Sequence, residues 1–193
     1  MAEDPPIVVG VSGASGSPIA VRVLRALRDA GAPVALVVSE GGRAVLREEC
    51  GLEVDALRPY ATQFYEDRDL GAPIASGSRP TRGMVVVPCS GNTAAKIALG
   101  LGDSLLTRAA QVQLKERRPL IVVPRETPLS TILLRHLATL SEWGTVVLVA
   151  SPAYYLRPRS IEDVTDYLAG KVLDHLGVPH QLYRGWKTEG GST

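Results

Sequence analysis

Five short apolar runs rich in valine alternate with segments of helical periodicity, and this alternation constrains the fold more than any other feature. The runs are 7–11, 33–38, 84–87, 120–123 and 145–150. Apolar and polar residues do not alternate within them, which is typical of strands covered on both faces in a parallel sheet. Strands that alternate with helices along the chain predict an open α/β sheet with right-handed crossovers.

The segments between the runs have apolar residues at intervals of three and four, which predicts helices. In 17–30, four aliphatic residues share one face and the arginines occupy the other. The same pattern predicts helices at 40–50, 92–99, 104–116, 129–143 and 160–176. The stretch 59–83 is the least regular, because Gly, Pro and Ser crowd its second half, and no element is assigned to it.

The composition is that of one globular domain, with no bias towards nucleic acid or lipid. The chain has 193 residues, 45% of them hydrophobic, with 21 Lys and Arg against 20 Asp and Glu. One domain over 1–193 can bury its own core. A net charge near zero gives no reason to expect nucleic acid or an anionic membrane as a partner. We expect 1–6 and 187–193 to be flexible.

Cysteine usage and the start of the chain indicate a reducing cytoplasm. Cys50 and Cys89 do not make a disulfide framework. The acidic start lacks the basic region of a signal peptide, and no apolar run approaches the ~20 residues of a membrane span. Three histidines, all after residue 135, leave little for a histidine-based metal site, and we predict no metal.

Polar or conformationally special residues follow every predicted strand. They occupy 12–16, 39–40, 88–93, 124–128 and 151–155. In open α/β sheets, ligands bind at the carboxyl ends of the strands near the switch point. This coincidence of five strand ends predicts a binding site at one edge of the sheet.

Two of these loops suit a phosphate. Ser12-Gly-Ala-Ser-Gly16 leads from a strand into a helix, where small residues let an anion approach backbone amides. The loop is neither a P-loop nor a dinucleotide fingerprint, and a tight turn with a serine cap explains it equally well. Pro88-Cys-Ser-Gly-Asn-Thr93 has more hydroxyl and amide groups than capping requires, and we expect Cys89 to be a small buried residue.

Basic residues near two strand ends form the second group of candidates. Arg108 and Lys115 are seven residues apart and lie on one side of a predicted helix. Arg125 follows a buried strand and can hold a phosphate with Lys115, or form an internal ion pair. Tyr155 and Lys171 can add donors to the same anion, but from the residues alone a packed aromatic and an exposed helix lysine are the favoured explanation.

Six strings in order resemble one family. They are Gly13-Ala-Ser-Gly16, Pro88-Cys-Ser90, Leu105-Leu-Thr-Arg-Ala-Ala110, Leu114-Lys-Glu-Arg-Arg-Pro-Leu120, Val123-Pro-Arg-Glu-Thr-Pro128 and Pro152-Ala-Tyr-Tyr155. Together they resemble the UbiX/Pad-type flavin prenyltransferases, of the FMN-binding flavoprotein superfamily that also contains cysteine decarboxylases. The likeness spans about residues 7 to 186, and the fourth and fifth strings are its most specific part.

The resemblance implies a flavodoxin-like, Rossmann-like three-layer sandwich that binds FMN. Its members are similar in transferring a dimethylallyl group from dimethylallyl monophosphate to N5 and C6 of reduced FMN, without a metal. The prenylated FMN then serves a UbiD-type decarboxylase, including that of ubiquinone biosynthesis. The resemblance also implies a homo-oligomer, a dodecamer built from trimers, with the active site at subunit boundaries.

The resemblance also assigns residues by motif. For FMN they are Gly13, Ala14, Ser15, Ser39, Ser90, Gly91, Asn92, Thr93 and Arg125. For the prenyl phosphate they are Arg108, Lys115, Arg125, Glu126, Tyr155 and Lys171. The catalytic set is Ser15, Glu49, Lys115, Arg125 and Glu126. Ser15, Glu49 or the released phosphate held by Glu126 can relay the proton from C6, and the sequence does not rank them.

Three departures from the family pattern keep alternatives open. Asn92 stands where lysine is common, Leu70 where an aromatic is common, and Lys171 where arginine is common. Asn92 is also shared with the related FMN cysteine decarboxylases, but these use an upstream histidine and this chain has none before residue 136. The other readings are an FMN-dependent decarboxylase or flavin reductase, a nicotinamide-binding domain with Glu40 on a ribose, and a carrier of prenylated FMN.

Overall fold

A parallel six-stranded sheet forms the centre of the computed structural model, which describes residues 4–185. The strands are β1 (Ile7–Val11), β2 (Val34–Val38), β3 (Gln63–Glu66), β4 (Gly83–Cys89), β5 (Leu120–Pro124) and β6 (Val146–Val147). Their order is β3-β2-β1-β4-β5-β6. The chain moves outward from β1 first in one direction and then in the other, so the switch point lies between β1 and β4.

Helices cover both faces of this sheet. They are α1 (Ser17–Asp29), α2 (Glu40–Cys50), α3 (Gly91–Ala98), α4 (Leu105–Lys115), α5 (Thr131–Glu142) and α6 (Ile161–Leu176). Short 3-10 helices occupy Val54–Tyr60, Pro73–Ala75 and Tyr154–Leu156. Helices α1 and α6, with Leu46 of α2, pack in one core, and α3, α4 and α5 pack in the other. This arrangement confirms the predicted three-layer sandwich.

The two cores follow from the two-residue period of β1. Ile7, Val9 and Val11 are fully buried against the α1 and α6 layer, and Val8 is fully buried against the other layer. A strand with both faces covered has no exposed position, and every residue of β1 is buried. Because both faces of the sheet are packed, the carboxyl ends of the strands are fixed, and so are the starting points of the loops that follow them.

The edge strand β3 is the element that the sequence pattern missed. It has only four residues and lies inside the irregular stretch 59–83, half exposed beside β2. Arg58 and Arg43 cover the ring of Phe64, with guanidinium-to-centroid distances of 4.3 and 6.0 Å. A strand so short, and shielded by charged side chains, has no apolar run to reveal it.

The last strand is shorter than the predicted 145–150, although the pairing continues beyond it. Only Val146–Val147 has regular strand geometry. The backbone N–H groups of Leu148 and Ala150 still donate to carbonyls of β5, at 2.9 and 3.0 Å. The edge position lets the chain leave the sheet gradually towards the loop that contains Tyr155.

The described fold begins before residue 7. Pro6 is buried, and its carbonyl accepts a hydrogen bond from the Arg82 N–H at 3.0 Å, so Pro6 is part of the fold although it lies in the stretch 1–6 that was expected to be flexible. Residues 1–3 and 186–193, which include the predicted flexible tail, lie outside the described residues. Between residues 4 and 185, no helix is long and apolar enough to cross a membrane.

Candidate active site

Ser12 joins the loops that follow β1 and β4, the two strands at the switch point. Its buried hydroxyl donates to the Pro88 carbonyl at 2.9 Å and accepts from the Ser90 N–H at 2.8 Å. Both bonds link residues that are more than seventy positions apart in sequence. Ser12 therefore fixes the glycine turn (residues 12–16) against the start of α3.

Helix α2 lies directly on this glycine turn because glycines without a Cβ stand at the contact, on both the turn and the helix. A Cβ on Gly13 would lie 3.0 Å from Gly41 Cα, and one on Gly42 only 2.5 Å from the Val11 carbonyl oxygen. Ser39 begins α2, and its side chain accepts a hydrogen bond from the Gly42 N–H at 3.1 Å. The glycines are required here because two backbones touch.

Glu49 of α2 caps the first turn of α1 from another element. Gly16 begins α1 at φ 121°, a conformation that favours glycine, and has no side chain to cap it. The Glu49 carboxylate accepts from the N–H groups of Gly16 and Ser17 at 2.9 and 2.8 Å. Burial alone would raise the pKa of Glu49, but these bonds and one from the Ser15 side chain outweigh it and lower that pKa.

The first turn of α3 presents a second set of donors to the same edge. Ser90 begins this helix, and its hydroxyl accepts from the Thr93 N–H at 3.2 Å and contacts the Thr93 hydroxyl at 2.9 Å. Asn92 is exposed in this turn, beside Gly91. Backbone N–H groups and the helix dipole favour an anion at such a terminus.

Arg125 and Glu126 extend this edge beyond β5. The Arg125 Nε donates to the Ser15 carbonyl at 3.3 Å, which brings a guanidinium to the glycine turn. Glu126 is exposed, and its carboxylate accepts a hydrogen bond from the Thr127 N–H at 3.2 Å. A cavity of about 300 Å³ between α3 and α5 is lined by Gly91, Ala95, Glu126, Ser130, Leu133 and His136, among others.

These features fit a phosphorylated ligand such as FMN. Helices α1, α2 and α3 begin at this edge, and the turn against α2 leaves no room for a Cβ on Gly13. The predicted cofactor residues Gly13, Ala14, Ser15, Ser39, Ser90, Gly91, Asn92, Thr93 and Arg125 all lie here. Ala14 is buried, whereas Gly13 and Ser15 are exposed and can meet a ligand. The arrangement provides backbone amides, hydroxyls and one fixed cation.

Lys115 and Arg108 lie elsewhere in the single chain. Lys115 ends α4, five residues before β5 begins, whereas Arg125 follows the other end of β5. A five-residue strand spans roughly 16 Å, so the two cations lie at opposite edges of the sheet. Lys115 pairs with Glu116 at 2.9 Å, beside Gly77. One chain therefore does not bring Lys115 and Arg125 together around one phosphate.

Arg108 and Lys115 nevertheless line one cavity, as their helical spacing indicates. Its volume is about 450 Å³. It is lined by Ala75, Ser76, Gly77, Arg108, Gln111, Val112 and Lys115. Arg118 holds the 77–79 segment in place by donating to the Gly77 and Arg79 carbonyls at 2.7 and 2.8 Å. This surface is separate from the carboxyl edge of its own sheet.

Tyr155 and Lys171 form a third location. Tyr155 lies in the loop after β6 and is about half exposed. Lys171 lies in α6, where its Nζ contacts the Asp174 carboxylate at 3.1 Å. The hydrogen bond with Asp174 raises the pKa of Lys171 despite the opposing effect of burial, and Tyr183 raises it further. Lys171 therefore remains a cation.

Sequence reasoning missed Asp174 and Tyr183, and it gave Ser12 no role of its own. The i, i+3 spacing of Lys171 and Asp174 is a signal that could have revealed their pairing. The prediction for Cys89 is confirmed, because this residue is 1% exposed and burial raises its thiol pKa to about 12. No group of His, Cys, Asp and Glu among residues 4–185 could hold a metal ion.

The fold and the donors at its carboxyl edge define an α/β flavoprotein, and residues 1–173 match the family model described as Flavoprotein. Flavin prenyltransferase UbiX of Thermoplasma acidophilum is 49% identical over 180 residues, which cover 93% of this chain and 99% of that protein. Flavin prenyltransferase UbiX of Streptomyces coelicolor is 46% identical, with 96% and 97% covered. The chain belongs to the UbiX-type flavin prenyltransferases within the Flavoprotein family.

Two solved structures have the same architecture. AnUbiX (PadA1), crystallised with FMN and dimethylallyl pyrophosphate, is 38% identical with a TM-score of 0.91, covering 96% of this chain and 100% of that one. A dodecameric FMN-dependent UbiX-like decarboxylase from Escherichia coli O157:H7 is 38% identical with a TM-score of 0.92, covering 95% and 100%. The likeness therefore extends over nearly the whole chain.

Proposed function

We propose that this chain is a flavin prenyltransferase that transfers dimethylallyl from dimethylallyl monophosphate to N5 and C6 of reduced FMN. The observation that carries the proposal is the hydrogen bond of Arg125 to Ser15, which brings a cation to a glycine turn at a helix start. Relatives that are 38–49% identical over nearly the whole chain are named flavin prenyltransferases. The similar AnUbiX structure contains FMN and dimethylallyl pyrophosphate.

The carboxyl edge would hold FMN. The Gly13 and Ser15 amides of the glycine turn and the first turn of α3, with the hydroxyls of Ser39, Ser90 and Thr93, suit its phosphate and hydroxyl groups, whereas Ala14 and Gly16 donate their N–H groups within the chain. Reduced FMN, when bound, supplies the electron-rich positions that accept the prenyl group. Residues 1–193 would then form a single FMN-binding domain.

Cationic residues would bind the phosphate of the prenyl donor and stabilise it as it leaves. Cleavage of the allylic C–O bond leaves the electron pair on the phosphate, so negative charge develops there. Lys115, Arg125, Tyr155 and Lys171 would stabilise that charge, with Arg108 nearby and Glu126 on the phosphate. Fixed cations would take the role that a divalent metal has in diphosphate chemistry.

Glu49 and Ser15 would handle the proton lost from C6. The Glu49 carboxylate is held at α1 with its pKa lowered, and the Ser15 side chain bonds to it. A carboxylate with a low pKa is a weak base by itself. A relay through the Ser15 hydroxyl would connect the Glu49 carboxylate to C6 at the flavin edge. The released phosphate is the alternative acceptor of this proton.

The complete site would require more than one copy of the chain. Lys115 and Arg125 lie at opposite edges of one sheet, but a second copy can place its Lys115 beside this copy's Arg125. The similar Escherichia coli protein is dodecameric, and we propose the same assembly here. We also propose a cytoplasmic location and a UbiD-type decarboxylase as recipient of the product, including that of ubiquinone biosynthesis.

The test uses the whole protein, reduced FMN, dimethylallyl monophosphate and EDTA without oxygen. We expect a flavin adduct by mass spectrometry at a rate that added Mg²⁺ does not change. Omission of either substrate is the control. If no adduct forms, or if it forms only with Mg²⁺, the proposal fails, and release of carbon dioxide from an added aromatic acid would favour the FMN-dependent decarboxylase instead.

A further inference from the structure

Asp174 is the centre of a side-chain cluster on the carboxyl-terminal half of α6. We call Lys171, Asp174, His180 and Tyr183 the Asp174 cluster. The Asp174 carboxylate accepts from Lys171 Nζ at 3.1 Å, from His180 Nε2 at 3.0 Å and from the Tyr183 hydroxyl. The Asp174 side chain is 39% exposed, and three donors on this one carboxylate make a network that holds each of them in one place.

The segment after α6 folds back on the helix to complete this cluster. A Cβ on Gly170 would lie 2.6 Å from Tyr183 Cδ1, so only glycine lets the ring rest on the helix. The Tyr167 ring meets the Tyr183 ring edge-to-face at 5.1 Å. Tyr183 is therefore packed on two sides, and its hydroxyl is directed at Asp174.

His180 has a defined tautomer in this network. Its Nδ1 accepts a hydrogen bond from the Leu182 N–H at 3.1 Å, so Nδ1 is unprotonated and Nε2 donates to Asp174. The backbone at Leu182 thus helps to orient the imidazole. His180 and Tyr183 together fasten the segment to Asp174 from two directions.

Lys171 is restrained by the same contacts but keeps a donor for a ligand. An ammonium group has three N–H donors, of which Asp174 engages one and the Tyr183 side chain another. The Tyr183 ring lies 5.9 Å from Nζ and limits the directions that the side chain can take. The Lys171 side chain is 34% exposed, so Nζ is not sealed off. Lysine normally loses much rotamer freedom when it binds an anion, and a restrained lysine loses less.

We propose that Asp174 and Tyr183 are positioning residues, which hold the Lys171 ammonium ready for the phosphate of the prenyl donor. The proposal rests on the proposed function, in which Lys171 contacts that phosphate. Neither Asp174 nor Tyr183 touches the substrate in this scheme. Their effect is transmitted through Lys171 alone.

The test measures binding of dimethylallyl monophosphate by calorimetry to protein loaded with oxidised FMN, which does not turn over. Asp174→Asn should weaken binding about tenfold, and Tyr183→Phe about threefold, because both loosen Lys171. In the turnover assay, KM should rise about tenfold for Asp174→Asn while kcat changes less than about twofold. Glu162→Gln removes an exposed charge from the same helix and should leave both constants unchanged.

A double-variant cycle shows whether the effect passes through Lys171. Lys171→Met should weaken donor binding, and Asp174→Asn should add nothing in that background. The proposal is overturned if Lys171→Met leaves donor binding unchanged, if Asp174→Asn weakens binding equally in both backgrounds, or if folded Asp174→Asn and Tyr183→Phe bind like wild type. If Asp174→Asn does not fold, Tyr183→Phe decides. If wild type forms no adduct, the proposed function is rejected instead. The two failures can be told apart because donor binding is measured with oxidised FMN and does not require adduct formation.

Discussion

Glu49→Gln separates the structural and chemical roles of the carboxylate that caps α1. Glutamine is nearly isosteric and keeps a carbonyl oxygen for the Gly16 and Ser17 N–H groups, which now lie 2.9 and 2.8 Å from the carboxylate. It removes the negative charge beside the helix start. It also removes the group that, in the proposed function, takes the C6 proton through Ser15.

The expected loss of stability is small. Hydrogen bonds to a charged acceptor exceed neutral ones by about 1 kcal/mol, and a charge at a helix start contributes ~0.3–1 kcal/mol. Glu49 is largely exposed, so we expect the free energy of unfolding to fall by about 1 kcal/mol and Tm by about 2–4 °C. Glu48→Gln, the adjacent exposed carboxylate, should change it by less than about 0.5 kcal/mol.

The pH dependence of this difference has a definite sign. The pKa of Glu49 is lowered in the folded protein from the ordinary value of 4.5. Its contribution is therefore fully present above pH 4.5 and is lost as the pH falls through the folded pKa. The gap in stability between wild type and Glu49→Gln should be constant near neutral pH and should close in acid.

The catalytic consequence is larger than the structural one. Loss of a positioned proton acceptor typically slows a step by 10²–10⁴-fold, so Glu49→Gln should form adduct at least about 100-fold more slowly. FMN affinity, measured by flavin fluorescence, should stay within about twofold, because the amides of the glycine turn remain in place. Adduct formation at the wild-type rate would refute the relay and leave Glu49 only as a cap.

Two further predictions concern the frame around the site. Arg118→Lys should lower the free energy of unfolding by about 2 kcal/mol in thermal melts, because a lysine cannot donate to the Gly77 and Arg79 carbonyls at the same time, as a guanidinium does. Arg117→Lys is the control and should have little effect. Cys89 should resist iodoacetamide in the native protein at mildly alkaline pH, because its pKa is about 12, and peptide mapping should find the label only on the partly exposed Cys50.

The fold was largely predictable because its signal is repeated. Buried strands such as 7–11 leave continuous apolar runs, and the helices between them leave amphipathic ones, so two independent patterns agree. The edge strand β3 leaves neither pattern, since four half-exposed residues carry no period. The sequence also could not predict which residue caps α1. It comes from Glu49, which is 33 residues away from Gly16, and local capping rules consider only neighbouring residues.

The separation of Lys115 from Arg125 follows from topology that the sequence already contained. A helix that leads into a parallel strand runs opposite to it, so the last turn of α4 lies at the amino edge of β5. Residues after β5 lie at the carboxyl edge. Two cations on either side of one predicted strand therefore cannot share a ligand within one chain, although resemblance by motif places them in one site.

Complementation between variants tests whether two copies build the site. Lys115→Met and Arg125→Met should each abolish adduct formation alone. After dissociation and reassembly of an equal mixture, about a quarter of the sites should combine an intact Lys115 with an intact Arg125. The measurement is the rate of adduct formation by mass spectrometry, with mixing verified by native mass spectrometry of copies that carry different tags.

The matched control is a mixture of Arg125→Met with Glu126→Gln. These residues are adjacent on one carboxyl edge, so no arrangement of copies restores both in one site, and the mixture should not exceed the mean rate of the two variants measured alone. Recovery in the first mixture alone means that Lys115 reaches the phosphate from a second copy. If the first mixture stays inactive although the copies have mixed, both cations act from the same chain, and the separation seen across β5 would have to close by a rearrangement of α4.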